Sequence, residues 1–300
     1  MPAFILIPVI FFYSIAFAQP ERWWEAGDNR VKIFYRAGDD VNVEALSRFI
    51  EATLPDLENQ LNTALLAPAQ IYLASSPDEF NQLTGGRLPE WSQGVSFPEQ
   101  NVIVLKSPRF SKGTEEFHRT TAHELTHLLI GVKTGGHVPR WFNEGLALWL
   151  SGEGQGKALM PLSRAVWAGS LIPLDRIEQV DSFQQADAEL AYLQSYHLTE
   201  FLIKRYGWET IQHILRNISS GSSWEEGLFQ ETESDQTGLE AEWHTELKKS
   251  YRWMILLDAD FFVFLGMTVL VLVAGVLVIR RRRKIYRQWI AEEDKQTDIF

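Results

Sequence analysis

Cysteine is missing from all 300 residues, which removes disulfides and thiolate metal ligands from consideration and leaves the compartment open. Positive charge is also scarce, with 28 Lys and Arg against 39 Asp and Glu and a net charge of −11. What there is of it is unevenly placed. Residues 280–300 hold seven basic and four acidic side chains, leaving 21 basic against 35 acidic, net −14, in the rest. A body so acidic is a poor match for a phosphate backbone, and no nucleic acid partner is expected. The same charge disfavours close contact with anionic lipid. Internal repeats are lacking, and only seven histidines occur in the chain.

Long apolar runs occur at the two ends. Residues 3–18 are almost wholly apolar and finish Ala16-Phe17-Ala18-Gln19, a small-x-small pattern that reads as a secretory signal peptide, 1–18, cleaved after Ala18. Residues 261–279 carry no charge and run straight into Arg280-Arg281-Arg282-Arg283-Lys284. Nineteen apolar residues match a bilayer core of about 30 Å, so this segment reads as a transmembrane helix. The basic cluster places the tail, 280–300, in the cytoplasm and the preceding domain, 19–258, outside it at the cell membrane.

Two of the seven histidines stand in His123-Glu124-Leu125-Thr126-His127. On a helix, imidazoles four residues apart project from one face and can grip one metal ion, and neutral histidine nitrogens bind zinc at about 2.0 to 2.1 Å. Glu124 then sits beside the metal, where a carboxylate can take a proton from a water acidified by the ion. Apolar Ala122, Leu125, Leu128 and Leu129 mark a buried helix, and Gly131 is expected to end it. Catalytic zinc usually has three protein ligands and one open position. Pro139 opens a second helical pattern, Arg140-Trp141-Phe142-Asn143-Glu144-Gly145-Leu146-Ala147, and Glu144 is the expected third ligand, seventeen residues after His127.

With both motifs in hand, the chain resembles the gluzincin clan of metallopeptidases, and most of all its small peptidase-MA-like domains. In these, a His-Glu-x-x-His helix precedes a helix bearing Asn-Glu-Gly-x-Ala. The resemblance implies a zinc cofactor, a peptide or protein substrate, and hydrolysis of peptide bonds. It extends to residues 191–202, where Tyr192 aligns with a tyrosine that hydrogen-bonds the developing oxyanion; Tyr196, one turn along, is the reserve. It also suggests an edge strand beside the site, read here in the hairpin 93–97 and 101–105. No Gly-x-Met-Glu-Asn motif of the large aminopeptidases is present, which favours an endopeptidase. No carboxylate one turn beyond Glu144 is available to orient a ligand histidine, so the outer shell has no candidate. His118, His137 and His197 are assigned no role.

The expected fold is α+β: a zincin-like domain with a mixed sheet and active-site helices, plus one C-terminal transmembrane helix. Strands are expected at 31–36 and 70–74, helices at 41–65, 187–206, 208–218 and 239–253, an irregular stretch at 162–181, and a polar hinge at 219–223. The function these residues point to is that of a membrane-anchored zinc endopeptidase. Its rival is a catalytically silent zincin-fold binding module tethered to the membrane. Hydrolysis of some other amide or ester is a third reading.

Overall fold

The computed structural model describes residues 22–297 apart from 87, 111–112, 156–158 and 252–258. The expected signal peptide lies outside the described residues. The chain divides into two compact units, one ending at Gly136 and the other beginning at His137.

In the first unit, strands β1 (Trp24–Gly27) and β2 (Val31–Tyr35) form a hairpin before helix α1 (Asp40–Leu61). Strand β3 (Ala69–Ala74), helix α2 (Pro77–Thr84), strands β4 (Gly94–Phe97) and β5 (Val102–Lys106), and helix α3 (Thr114–Thr134) follow. The sheet order is β1-β2-β3-β5-β4, with the two inner pairings parallel and the outer two antiparallel. Alternation along the strands decides its faces. Ile33, Ile71 and Ile103 stand in register across three strands and are sealed from solvent, as are Leu73 and Leu105 beside them. The other face carries a smaller cluster in which Phe80 of α2 packs with Ala74 and Val104. Helix α2 starts where the Ser-Ser-Pro-Asp turn signals, with the Ser76 hydroxyl accepting the Glu79 backbone N–H.

One sequence expectation changes here. Gly131 does not end its helix, which continues to Thr134 and is capped by Gly135 in the left-handed region at φ 62°. A Cβ at Gly131 would lie 2.3 Å from the Pro98 Cβ, so this glycine serves close approach rather than termination. Buried threonines are compatible with α3 because Thr121, Thr126 and Thr134 each donate to the carbonyl four residues back.

The second unit is helical: α4 (Arg140–Ser151), α5 (Met160–Ala168), α6 (Leu174–Ile177), α7 (Gln185–Tyr206), α8 (Trp208–Ser219), α9 (Trp224–Thr232), α10 (Gln236–Tyr251) and α11 (Ala259–Thr297). The stretch expected to be irregular therefore holds α5 and α6. Two short helices leave little periodicity to read, yet α5 buries Leu162, Ala165 and Val166 at helical spacing. The polar hinge is only a turn, because Ser223 and Glu226 close a reciprocal capping box that starts α9 at once. An α+β chain with a mixed sheet and a run of helices is thus what the residues fold into. Among the described residues one helical segment, Phe262–Arg287, is long and apolar enough to cross a membrane. Its side chains, including Phe264, Leu270 and Val271, are exposed.

Candidate metal centre

In the first unit, α3 presents His123, Glu124 and His127. His123 and Glu124 are buried, at 9% and 6% exposure, and His127 is half-buried. The two imidazoles are nearly perpendicular, at 81°, with their Nε2 atoms 2.9 Å apart. In a tetrahedral zinc site with bonds of about 2.0 to 2.1 Å, two ligand nitrogens stand roughly 3.3 Å apart. The pair therefore fits a shared ion after an adjustment of a few tenths of an ångström, within the reach of the two side-chain torsions. The convergence is a helical property, since residues four apart lie one above the other.

Glu124 lies against the edge strand. A Cβ at Gly94 of β4 would come 2.9 Å from the Glu124 Cγ and 3.0 Å from its Oε1, so only glycine lets the strand backbone pass this close. One strand-length on, Pro98 meets Gly131 of the same helix, so β4 runs beside α3. Its outer edge forms no ladder among the described residues. This is the edge strand that the resemblance suggested. Gly94 as the residue that admits it was not anticipated; a glycine opening a strand is the only signal the sequence carries.

In the second unit, Glu144 sits on the second turn of α4, its side chain 5% exposed. Arg140 donates from Nε to Glu144 Oε1 at 2.6 Å, while the Arg140 backbone N–H donates to Glu178 Oε1 at 2.7 Å. A carboxylate at a helix start is favoured by the exposed N–H groups and the helix dipole. Trp141 and Phe142 anchor the same turn in the interior against Trp224, and Gln236 Oε1 accepts both indole N–H groups. Arg140 was missed at the sequence level, although its i,i+4 spacing to Glu144 was visible.

Gly145 brings α4 onto α7, where a Cβ would stand 2.2 Å from the Ser195 carbonyl oxygen and 2.2 Å from Thr199 Oγ1. Of the two candidate tyrosines on α7, Tyr192 is half-buried, and Tyr196 is buried with its ring against Gly154. His197 Nδ1 lies 3.5 Å from Glu200 Oε2, and Lys204 lies 2.9 Å from Glu200 Oε1. The His197 hydrogen bond and then Lys204 outweigh burial and pull the Glu200 carboxyl down to about 2. His118 stacks flat on Phe49 at 4.4 Å, and burial lowers its pKa, which suits a packing role.

As a donor set, the residues expected from the sequence, His123 and His127 in the first unit and Glu144 in the second, offer two imidazole nitrogens and a carboxylate oxygen. The set is the N/O chemistry that zinc accepts.

Comparison with known proteins gives three findings. Residues 51–249 match the family model described as Peptidase MA superfamily. Over 143 residues the chain is 24% identical to the uncharacterized protein YhcO of Bacillus subtilis, covering 45% of this chain and 42% of that one. Solved structures similar to it include leukotriene A4 hydrolase from Saccharomyces cerevisiae and an M1 zinc metallopeptidase from Deinococcus radiodurans. The first is 13% identical with a TM-score of 0.44, covering 73% of this chain and 37% of that one. The second is 14% identical with a TM-score of 0.43, covering 76% and 51%.

Proposed function

The chain belongs to the Peptidase MA superfamily, and from that premise we propose that it is a zinc-dependent metallopeptidase, an endopeptidase tethered to a membrane. His123, His127 and Glu144 hold the zinc, Glu124 is the general base, and Tyr192 donates to the oxyanion. The observation that carries this reading is the 2.9 Å approach of the His123 and His127 Nε2 atoms, with the buried Glu124 between them in sequence.

Bound there, zinc supplies a Lewis acid for the scissile carbonyl and lowers the pKa of water to about 7. Glu124 accepts the proton of the attacking water and passes it to the leaving amine as the C–N bond breaks. The Tyr192 hydroxyl offsets negative charge on the carbonyl oxygen as the carbon becomes tetrahedral. The outer edge of β4 pairs with the backbone of an extended substrate, which favours polypeptide over small esters or amides.

Residues 1–18 are removed as a signal peptide, 19–258 form the extracytoplasmic catalytic domain, 261–279 cross the cell membrane, and 280–300 remain in the cytoplasm. Support comes from the apolar Phe262–Arg287 segment and from the five cations at 280–284.

The test is metal content by mass spectrometry together with turnover of a peptide library, for the purified chain and its Glu124→Gln variant. Stoichiometric zinc in both, with turnover reduced at least ~100-fold in the variant, is expected. Undiminished turnover in Glu124→Gln would remove the general base. A folded parent that takes up no zinc when supplied with it would leave the tethered binding module as the better account.

A further inference from the structure

We propose that Arg140 is a positioning residue for the metal: it holds one oxygen of Glu144 so that the other becomes the ligand. The inference rests on Glu144 being a zinc ligand, as proposed above, and adds a residue outside both sequence motifs. The Arg140 Nε to Glu144 Oε1 distance of 2.6 Å is short for an N–H donor, as expected between ionised partners. Both ends of the contact are anchored. Arg140 is the first residue of α4, behind Pro139, and its own backbone N–H is held by Glu178. Glu144 is one turn on and almost wholly enclosed.

This geometry bears on the metal in two ways. A carboxylate free to rotate can approach an ion through either oxygen or both, whereas one whose Oε1 accepts a guanidinium N–H presents Oε2 in a single orientation. The positive guanidinium also draws electron density from the carboxylate, which opposes binding, so the net effect of the pairing is the larger gain from orientation less this electrostatic cost. Histidine ligands are commonly oriented by a carboxylate; here it is the carboxylate ligand that is oriented, and by a cation. Glu178 thereby acquires a part, since it fixes the helix start from which Arg140 reaches.

The experiment is a double-mutant cycle on zinc affinity, read by competition with a chromophoric chelator on the full chain in detergent. The parent, Arg140→Ala, Glu144→Ala and the double variant are compared, with Arg140→Lys as a partial rescue. Thermal unfolding of each chain in chelator checks that the fold persists. Arg140→Ala is expected to weaken zinc ~10- to 100-fold. Arg140→Lys, which keeps the charge but loses the planar fork, should recover part of that loss. On the Glu144→Ala background the same change should cost nothing further, because its effect passes through Glu144. Parent-like zinc affinity in Arg140→Ala, or an equal loss on both backgrounds, overturns the positioning role while leaving the metal centre standing. A parent that binds no zinc overturns both.

Discussion

Replacing Gly145 by alanine tests how Glu144 is held in place. Inside a helix this exchange ordinarily stabilises by about 1 kcal/mol, because alanine loses less backbone entropy on folding. At position 145 the new methyl would lie 2.2 Å from the Ser195 carbonyl oxygen, 2.7 Å from its carbon and 2.2 Å from Thr199 Oγ1. Two of those three atoms are backbone and cannot rotate away, so α4 and α7 must separate by roughly 1 Å. Overpacking of this kind costs about 1 to 3 kcal/mol and more where backbone must move, so the propensity gain is outweighed. A net loss of about 2 kcal/mol is expected, which lowers the melting temperature by ~4 to 8 °C in a body of this size. Displacing α4 also displaces Glu144, so zinc affinity should fall with it. The internal control is Gly227→Ala in α9, where the nearest atom stands at 3.5 Å, an ordinary contact. There the propensity gain survives and the melting temperature should rise by about 1 to 3 °C. Calorimetry on the two variants decides the matter. If Gly145→Ala were as stable as Gly227→Ala, the close crossing of α4 and α7 would not be what positions the glutamate.

Gly94→Ala should leave zinc stoichiometry intact while lowering kcat ~10- to 100-fold, because the added methyl displaces the Glu124 carboxylate and small misplacements of a reacting group are costly. An unaltered kcat in that variant would mean Glu124 tolerates the intrusion. The Glu200 carboxyl, at about 2 in the folded chain against an ordinary 4.5, favours folding above pH ~4.5 and loses that contribution as pH falls toward 2. Glu200→Gln should therefore reduce stability at pH 7 and flatten the acid limb of a urea-midpoint profile over that interval; an unchanged limb counts against the His197 and Lys204 pairing. Ending the chain before Ala259 should move the protein from the membrane fraction to the soluble one, and retention at the membrane would show a second anchor.

The two helices bearing the proposed metal ligands were readable because their cues are local. His123 and His127 meet through a four-residue period, and Pro139 with its apolar followers announces α4. Strand β2 declared itself by alternation and β3 and β5 by short, largely apolar runs, whereas four-residue β1 and the short helices α5 and α6 are too brief for any period to emerge. The apolar run before 280–284 was equally plain from composition alone.

What the residues determined by themselves is the donor chemistry: two imidazoles on one helical face, a carboxylate between them, and a glutamate in a second motif. Tertiary structure alone decided which backbones approach closely. Gly131 reads as a helix stop until Pro98 fills the place of its missing side chain, and Gly94 reads as an ordinary strand residue until β4 passes over Glu124. In each case, a helix glycine and a strand glycine, the meaning depends on a neighbour distant in sequence, because the absence of a Cβ is a permission that only a packed partner turns into a position.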